Sequence, residues 1–206
     1  MTEYAFVGDI HGCLAELEEV VELALPRTRR LVFLGDYVNR GHRSREVVDY
    51  LIDLNRSGEA DCTFLRGNHD EVFLNALGAG EIDTLLRMDG ATTIASYVPE
   101  PTGDILSQLR ESVPEEHVQF FHDLTLFMVA EGVFAAHAPS PARETELAAG
   151  KYCIYGHIPQ RNGTPTITDT QALVDTGCGT TGNGRLTCFF WPGKDWIQSS
   201  RRPVLY

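Results

Sequence analysis

The 206-residue chain predicts an α/β fold in which two stacked β-sheets are flanked by α-helices. Two observations carry that expectation. From Tyr4 to Leu77, an apolar run, a polar glycine-bearing loop and an amphipathic helix follow one another three times. After Leu124 the pattern changes to short β-rich runs separated by turn residues. The first pattern means a parallel sheet built from right-handed crossovers. The second is most simply a further sheet, mostly antiparallel, stacked on the first.

The first strand is Tyr4-Ala5-Phe6-Val7, closed by Gly8-Asp9-Ile10-His11-Gly12. Leu14, Leu17, Val21 and Leu25 then recur at helical spacing, with Glu16, Glu18, Glu19 and Glu22 on the other face, until Pro26 stops the helix. Arg30-Leu31-Val32-Phe33 is the second strand, and it delivers Asp36 into a loop that also holds Asn39 and Arg40. Val47, Val48, Leu51, Ile52 and Leu54 mark the next helix, ended at Ser57-Gly58. Cys62-Thr63-Phe64-Leu65 is the third strand, followed by the loop Arg66-Gly67-Asn68-His69-Asp70 and a helix carrying Val72, Phe73 and Leu77. Residues 81–124, broken by Pro99, Pro101 and Pro114, predict short helices forming a side layer or cap rather than one long element. The later runs are Leu126–Val129, Val133–Ala136, Tyr152–Tyr155, Ala172–Val174 and Leu186–Phe190. No linker divides the chain, so a single domain over 1–206 is expected.

Composition narrows the function classes. Apolar content of 43% supports a packed core, and a formal net charge of -12 argues against a nucleic-acid backbone as partner. Arginines nevertheless cluster at Arg27, Arg29 and Arg30 and at Arg40, Arg43 and Arg45, which leaves room for one anion-attracting mouth. Five cysteines without a CxxC read as reduced residues of a cytoplasmic protein. No apolar run reaches membrane-spanning length. A nucleotide-binding α/β protein is disfavoured because no GK[ST] loop or dinucleotide fingerprint is present.

Polar groups stand at five strand ends: Asp9 with His11, Asp36, Asn68 with His69, His137, and His157. Singly, each has a plain explanation as a cap, a turn residue or a satisfied histidine. Together they offer two Asp, one Asn and several His donors with no thiolate, a set suited to manganese, iron, zinc or cobalt. Six such side chains are too many for one catalytic metal that keeps an open position. They suit two metals roughly 3.5–4 Å apart that share a carboxylate, with Asp36 expected to be the shared one.

Gly8-Asp9-Ile10-His11-Gly12, Gly35-Asp36-Tyr37-Val38-Asn39-Arg40-Gly41, Gly67-Asn68-His69-Asp70, Ala136-His137-Ala138 and Gly156-His157-Ile158-Pro159 resemble the successive signature blocks of calcineurin-like metallophosphoesterases. The resemblance is to the branch of protein serine/threonine phosphatases and symmetrical diadenosine tetraphosphatases, and it extends to Val174-Asp175-Thr176-Gly177. It implies two stacked mixed β-sheets flanked by α-helices, a four-layer sandwich. It implies that Asp9, His11 and Asp36 hold one divalent ion, manganese first among the candidates, and that Asp36, Asn68, His137 and His157 hold a second. Arg40, with Asn68, would bind the phosphate. His69 would be the general acid, supported by Asn39. The implied reaction is attack of metal-activated water on a phosphomonoester, with phosphoserine or phosphothreonine in proteins as first substrate. A dinucleoside polyphosphate or another small phosphorylated molecule is the alternative, and an inactive scaffold of the same fold is the non-enzymatic rival.

Three positions depart from the family pattern. Asn39 stands where an Asp usually pairs with the acid histidine, so His69 is expected to be a weaker-supported acid, with Asp70 as a candidate helper. His42 replaces a common Pro and is a candidate for the pocket. The interval from His137 to His157 is short and its only arginine is Arg143, so Arg143 or Arg161 would have to replace a second phosphate-binding arginine. His117 and His122 read as packing or surface residues, Cys13 and Cys178 as packed small residues, and Asp175 as a turn residue.

Overall fold

The computed structural model describes residues 3–140, 146–180 and 184–200. Its first sheet is built from β1 (Tyr4–Val7), β2 (Arg30–Phe33) and β3 (Asp61–Phe64), which run parallel, with α1 (Leu14–Ala24) and α2 (Ser44–Ser57) as the crossovers. Both faces of these strands are covered, which is why they read as continuous apolar runs. Side chains alternate between the two faces. Ala5, Val7, Leu31 and Phe33 pack with Leu17, Val21, Val47 and Leu51 of the helices. Phe6, Val32 and Leu34 face the other way, onto Val133, Ala135, Ile154 and Ala172 of the second sheet.

The sheet order is β10-β9-β1-β2-β3 in the first sheet and β4-β5-β6-β8-β7 in the second. Here the expectation needs correcting. The second sheet, formed by β4 (Phe127–Ala130), β5 (Val133–Ala136), β6 (Tyr152–Tyr155), β7 (Thr166–Ile167) and β8 (Gln171–Leu173), is mixed rather than mostly antiparallel. Its centre, β5-β6-β8, is parallel, and only the outer pairs β4-β5 and β7-β8 are antiparallel. The intervals 137–151 and 156–170 are long enough for the crossovers that parallel pairing demands. The run at Leu186–Phe190 also changes place. As β9 (Thr187–Trp191) it pairs antiparallel with β1 in the first sheet, and β10 (Asp195–Gln198) adds the edge strand.

Between β3 and β4 lie α3 (Asn68–Ala79) and four shorter helices, α4 (Ile82–Arg87), α5 (Ala91–Tyr97), α6 (Ile105–Ser112) and α7 (Glu115–Asp123). Asp104 caps α6 by accepting from the Leu106 and Ser107 N–H groups. His117 on α7 is buried between Tyr97 and Asp49, and so packs the helices together rather than reaching any site. Among the described residues, no helix is long and apolar enough to cross a membrane.

Candidate active site

The parallel strands of both sheets end on one side of the molecule, and their C-terminal loops build the site: β1 leads to Asp9 and His11, β2 to Asp36, β3 to Asn68 and His69, β5 to His137 and β6 to His157. The backbone there is unusual. Among the described residues, seven non-glycine residues have a positive φ, and five of them are His11, Asp36, Asn39, Arg40 and His157. Side chains with a Cβ pay for that conformation; its concentration at the strand ends marks where the fold is constrained to aim side chains rather than to relax. Close packing enforces the aim. A methyl group on Gly67 would lie 2.1 Å from Asp36 Oδ1, and one on Gly156 would lie 2.2 Å from Asp9 Oδ1.

Asp36 is the hub. Its Oδ2 lies 3.6 Å from His11 Nε2, 4.0 Å from His69 Nε2 and 3.5 Å from His137 Nε2, and its Oδ1 accepts from the His69 backbone N–H at 3.0 Å. Two compact groups of donor atoms share it: His11, Asp36 and His69, and Asp36, His137 and His157. Asn68 Oδ1 joins the second group, 3.0 Å from His137 Nε2. Asp9 is differently held. Both its carboxylate oxygens accept from the His157 N–H at 3.1 Å, and the tight group around His11 contains His69 in the place expected for Asp9.

The histidine tautomers suit cation binding. His11 Nδ1 donates to Val38 O and His137 Nδ1 donates to Leu34 O, each at 3.0 Å. Both Nε2 atoms therefore carry a lone pair directed inward. Burial, the largest effect, pushes His11 down to about 3 and also lowers His69 and His157. Burial alone would raise Asp36, but His137, His11 and His69 outweigh it and hold that carboxyl below its ordinary value. Neutral imidazoles and an ionised carboxylate aimed at one another leave acceptors facing acceptors. Such a set is unfavourable by itself and fits a positive ion. Arg40 partly supplies that charge, with Nη1 2.6 Å from His11 Nε2. Arg40 and Asn68 are half-buried and His157 is exposed, so the cluster opens to solvent on their side.

Asn39 Nδ2 lies 2.8 Å from His69 Nδ1. Its Oδ1 accepts from Thr93 Oγ1 at 3.0 Å, its N–H donates to the same hydroxyl at 2.7 Å, and Ser44 Oγ completes the cluster. Thr93 was missed because a hydroxyl on an otherwise ordinary helix gives no signal in sequence. Asp70 is corrected: it does not assist His69. Its carboxylate accepts from the N–H groups of Asp36, Tyr37 and Gly67 at 2.8–2.9 Å, and so it splints the Asp36 loop. Burial, then Asp36, raises its pKa to about 7. His42 and Arg161 are exposed, and Arg143 lies outside the described residues.

Comparison with known proteins agrees with this geometry. The pattern of the calcineurin-like phosphoesterases matches residues 3–161. A serine/threonine-protein phosphatase of Saccharomyces cerevisiae is 35% identical over 47% of this chain, which spans only 31% of that protein. An asymmetrical bis(5'-nucleosyl)-tetraphosphatase of Halalkalibacterium halodurans is 23% identical over 98% of this chain and 96% of its own. Among solved structures, a putative diadenosine tetraphosphatase superposes with a TM-score of 0.65 at 22% identity, covering 95% of this chain and 92% of that one. The chain belongs to the calcineurin-like phosphoesterase family, hydrolases of phosphate esters that use a dinuclear centre of divalent metal ions.

Proposed function

We propose that the chain hydrolyses phosphomonoesters in the cytoplasm with two divalent cations, manganese first, and water as the nucleophile. The observation that carries the reading is the pair of donor groups sharing Asp36. Asp9, His11 and Asp36 would hold one ion, and Asp36, Asn68, His137 and His157 the other. The ions, when bound, neutralise phosphate oxygens and bring the pKa of bound water near neutrality. The chain's own groups do the rest. Arg40, held at the mouth with Asp89 3.8 Å from its Nε, grips phosphate oxygens through its planar fork. The same fork meets the charge that builds on those oxygens as the bond to the leaving group breaks. His69 would supply a proton to the leaving oxygen from Nε2 as a doubly protonated ring and return to the neutral form; the Asn39 amide, which donates to Nδ1 of the neutral ring, works against that protonated form. Thr93 keeps the Asn39 amide turned that way. Asn39 brings no charge to stabilise a doubly protonated ring, so His69 is a modest acid.

Phosphoserine and phosphothreonine in proteins are the first substrates of this reading, supported by the block resemblance and by the yeast relative. A second reading, a dinucleoside polyphosphate, is favoured by a specific observation: a relative matched along nearly its entire length is a bis(5'-nucleosyl)-tetraphosphatase. A panel of phosphopeptides, dinucleoside polyphosphates and sugar phosphates, assayed with manganese, separates the two. Activity on phosphopeptides that is lost in His69→Ala supports the first reading. Activity confined to dinucleoside polyphosphates supports the second. No hydrolysis of any member, nor of a generic aryl phosphate, by metal-loaded protein overturns both.

A further inference from the structure

A turn role explains only half of one acidic side chain beside the cluster. Asp175 follows β8 and lies at the same sheet edge as His137 and His157. It is 2% exposed. Its Oδ1 accepts from the Gly177 N–H at 2.9 Å, which is the turn contact that the sequence suggests. Its Oδ2 is buried and has no hydrogen-bond partner among the described residues. A buried carboxylate oxygen without a partner is costly, and a turn role accounts for only one of the two oxygens.

The packing brings this oxygen's residue to Asp9. A methyl group on Gly8 would lie 2.7 Å from the Val174 carbonyl oxygen, so the residues preceding Asp9 and Asp175 are in direct contact. Val174 N–H donates to Tyr155 O at 2.8 Å and Gln160 N–H donates to Asp175 O at 2.9 Å, tying the Asp175 loop to both flanks of His157. The loop is itself pinned, since Thr176 Oγ1 lies 2.6 Å from both Arg185 O and Thr187 Oγ1. Asp9, Asp36 and Asp175 are each 2% exposed, and among the described residues Arg40 is the permanent cation whose charge acts on both Asp9 and Asp175. One guanidinium does not balance three carboxylates held out of water.

We propose that Asp175 supplies a third carboxylate to the divalent-cation centre, on the Asp9 side, through its otherwise unpartnered Oδ2. The proposal rests on the two-cation reading given above, and it extends the ligand set beyond the residues named there. It also gives the Asp9 side of the centre, where Asp9 itself is engaged by the His157 N–H, an additional anionic group.

Asp175→Asn is the discriminating variant, because an amide keeps an oxygen for the Gly177 N–H while removing the free anionic one. Metal-free wild type and variant are titrated with manganese by calorimetry and by competition with a chromophoric chelator, and the melting temperature of each metal-free protein is recorded. The wild type is expected to take up two equivalents. The variant should lose at least about tenfold in affinity for one of them, the loss common when a residue supporting a metal site is replaced. Its metal-free form should melt at the same temperature or higher, because a buried like charge has gone. Asp175→Ser, which also retains an acceptor for Gly177, serves if the amide variant does not fold. Unchanged affinity for both equivalents in a folded variant would make Asp175 a turn residue and overturn this inference alone. A wild type that takes up no manganese would overturn the two-cation reading, and this inference with it.

Discussion

Replacing Asn39 by Asp tests how the proposed acid is supported. Asn39 and His69 are both buried, 0% and 5% exposed, and their side-chain nitrogens are 2.8 Å apart. The amide donates into His69 Nδ1, which stabilises the neutral ring. A carboxylate at the same place would instead accept from a protonated Nδ1. Hydrogen bonds to charged groups contribute about 1.5–3 kcal/mol, which corresponds to roughly one to two pKa units at about 1.4 kcal/mol per unit. His69 starts from a value lowered chiefly by burial; Asp36 opposes this with the next largest effect, and Arg40 and His137 lower it further. The Thr93 hydroxyl remains available to the second carboxylate oxygen. The assay is hydrolysis of a series of aryl and alkyl phosphates across pH. In Asn39→Asp the dependence of kcat on leaving-group pKa should flatten, and the alkaline limb for alkyl esters should move up by about one to two units. Activated aryl esters should change little. An unchanged slope together with an unchanged pH profile, in a variant that melts normally, would refute the role given to this pair.

Asp70→Ala should destabilise the protein by about 3 kcal/mol or more, since three buried N–H groups lose their acceptor at about 1–3 kcal/mol each. Urea unfolding measures it, and a loss under about 1 kcal/mol would show that the Asp36 loop does not depend on this splint. In the metal-free protein the histidines should lower stability as pH falls from about 6.5 toward 3. Asp70, raised by burial to about 7, and the raised Asp9 and Asp175 act the other way, so the His11 contribution is read as the difference between wild type and His11→Gln. Burial depresses His11 to about 3 in the folded state, so below the unfolded value near 6.5 only the unfolded chain takes the proton. His11 alone contributes a slope of up to about 1.4 kcal/mol per pH unit in that window, and His69 and His157 act in the same direction. A difference in urea-derived stability between wild type and His11→Gln, both in chelator, that stays level between pH 7 and pH 5 would contradict this.

Much of the site was legible because each candidate follows a run of apolar residues, and such runs are strands when both faces are covered. Phe6 and Val32 pack toward one sheet partner while Ala5 and Leu31 pack toward the helices, so neither alternation nor helical spacing is needed to see them. Strand partnership was less legible. Leu186–Phe190 has the composition of a strand, but nothing in it says whether it joins Ala172–Val174 or returns to Tyr4–Val7, and β10, with its exposed Asp195 and Trp196, carries little apolar signal. Asp70 was misread because it adjoins His69 in sequence. Neighbours on a helix point about a third of a turn apart, and so His69 faces the cluster while Asp70 faces the Asp36 backbone. Thr93 and the second oxygen of Asp175 depend on contacts between distant segments, which only the folded chain brings together.

A carboxylate common to two cation sites, as proposed for Asp36, should cost both ions when it is removed, and a count of bound metal reads that loss. Protein freed of metal, reloaded with manganese, dialysed and analysed by plasma mass spectrometry should carry about two ions per chain for the wild type. Asp36→Asn should carry almost none while keeping its helical and strand content. Wild-type protein without bound metal, or an Asp36→Asn variant that still holds both ions, would contradict the account.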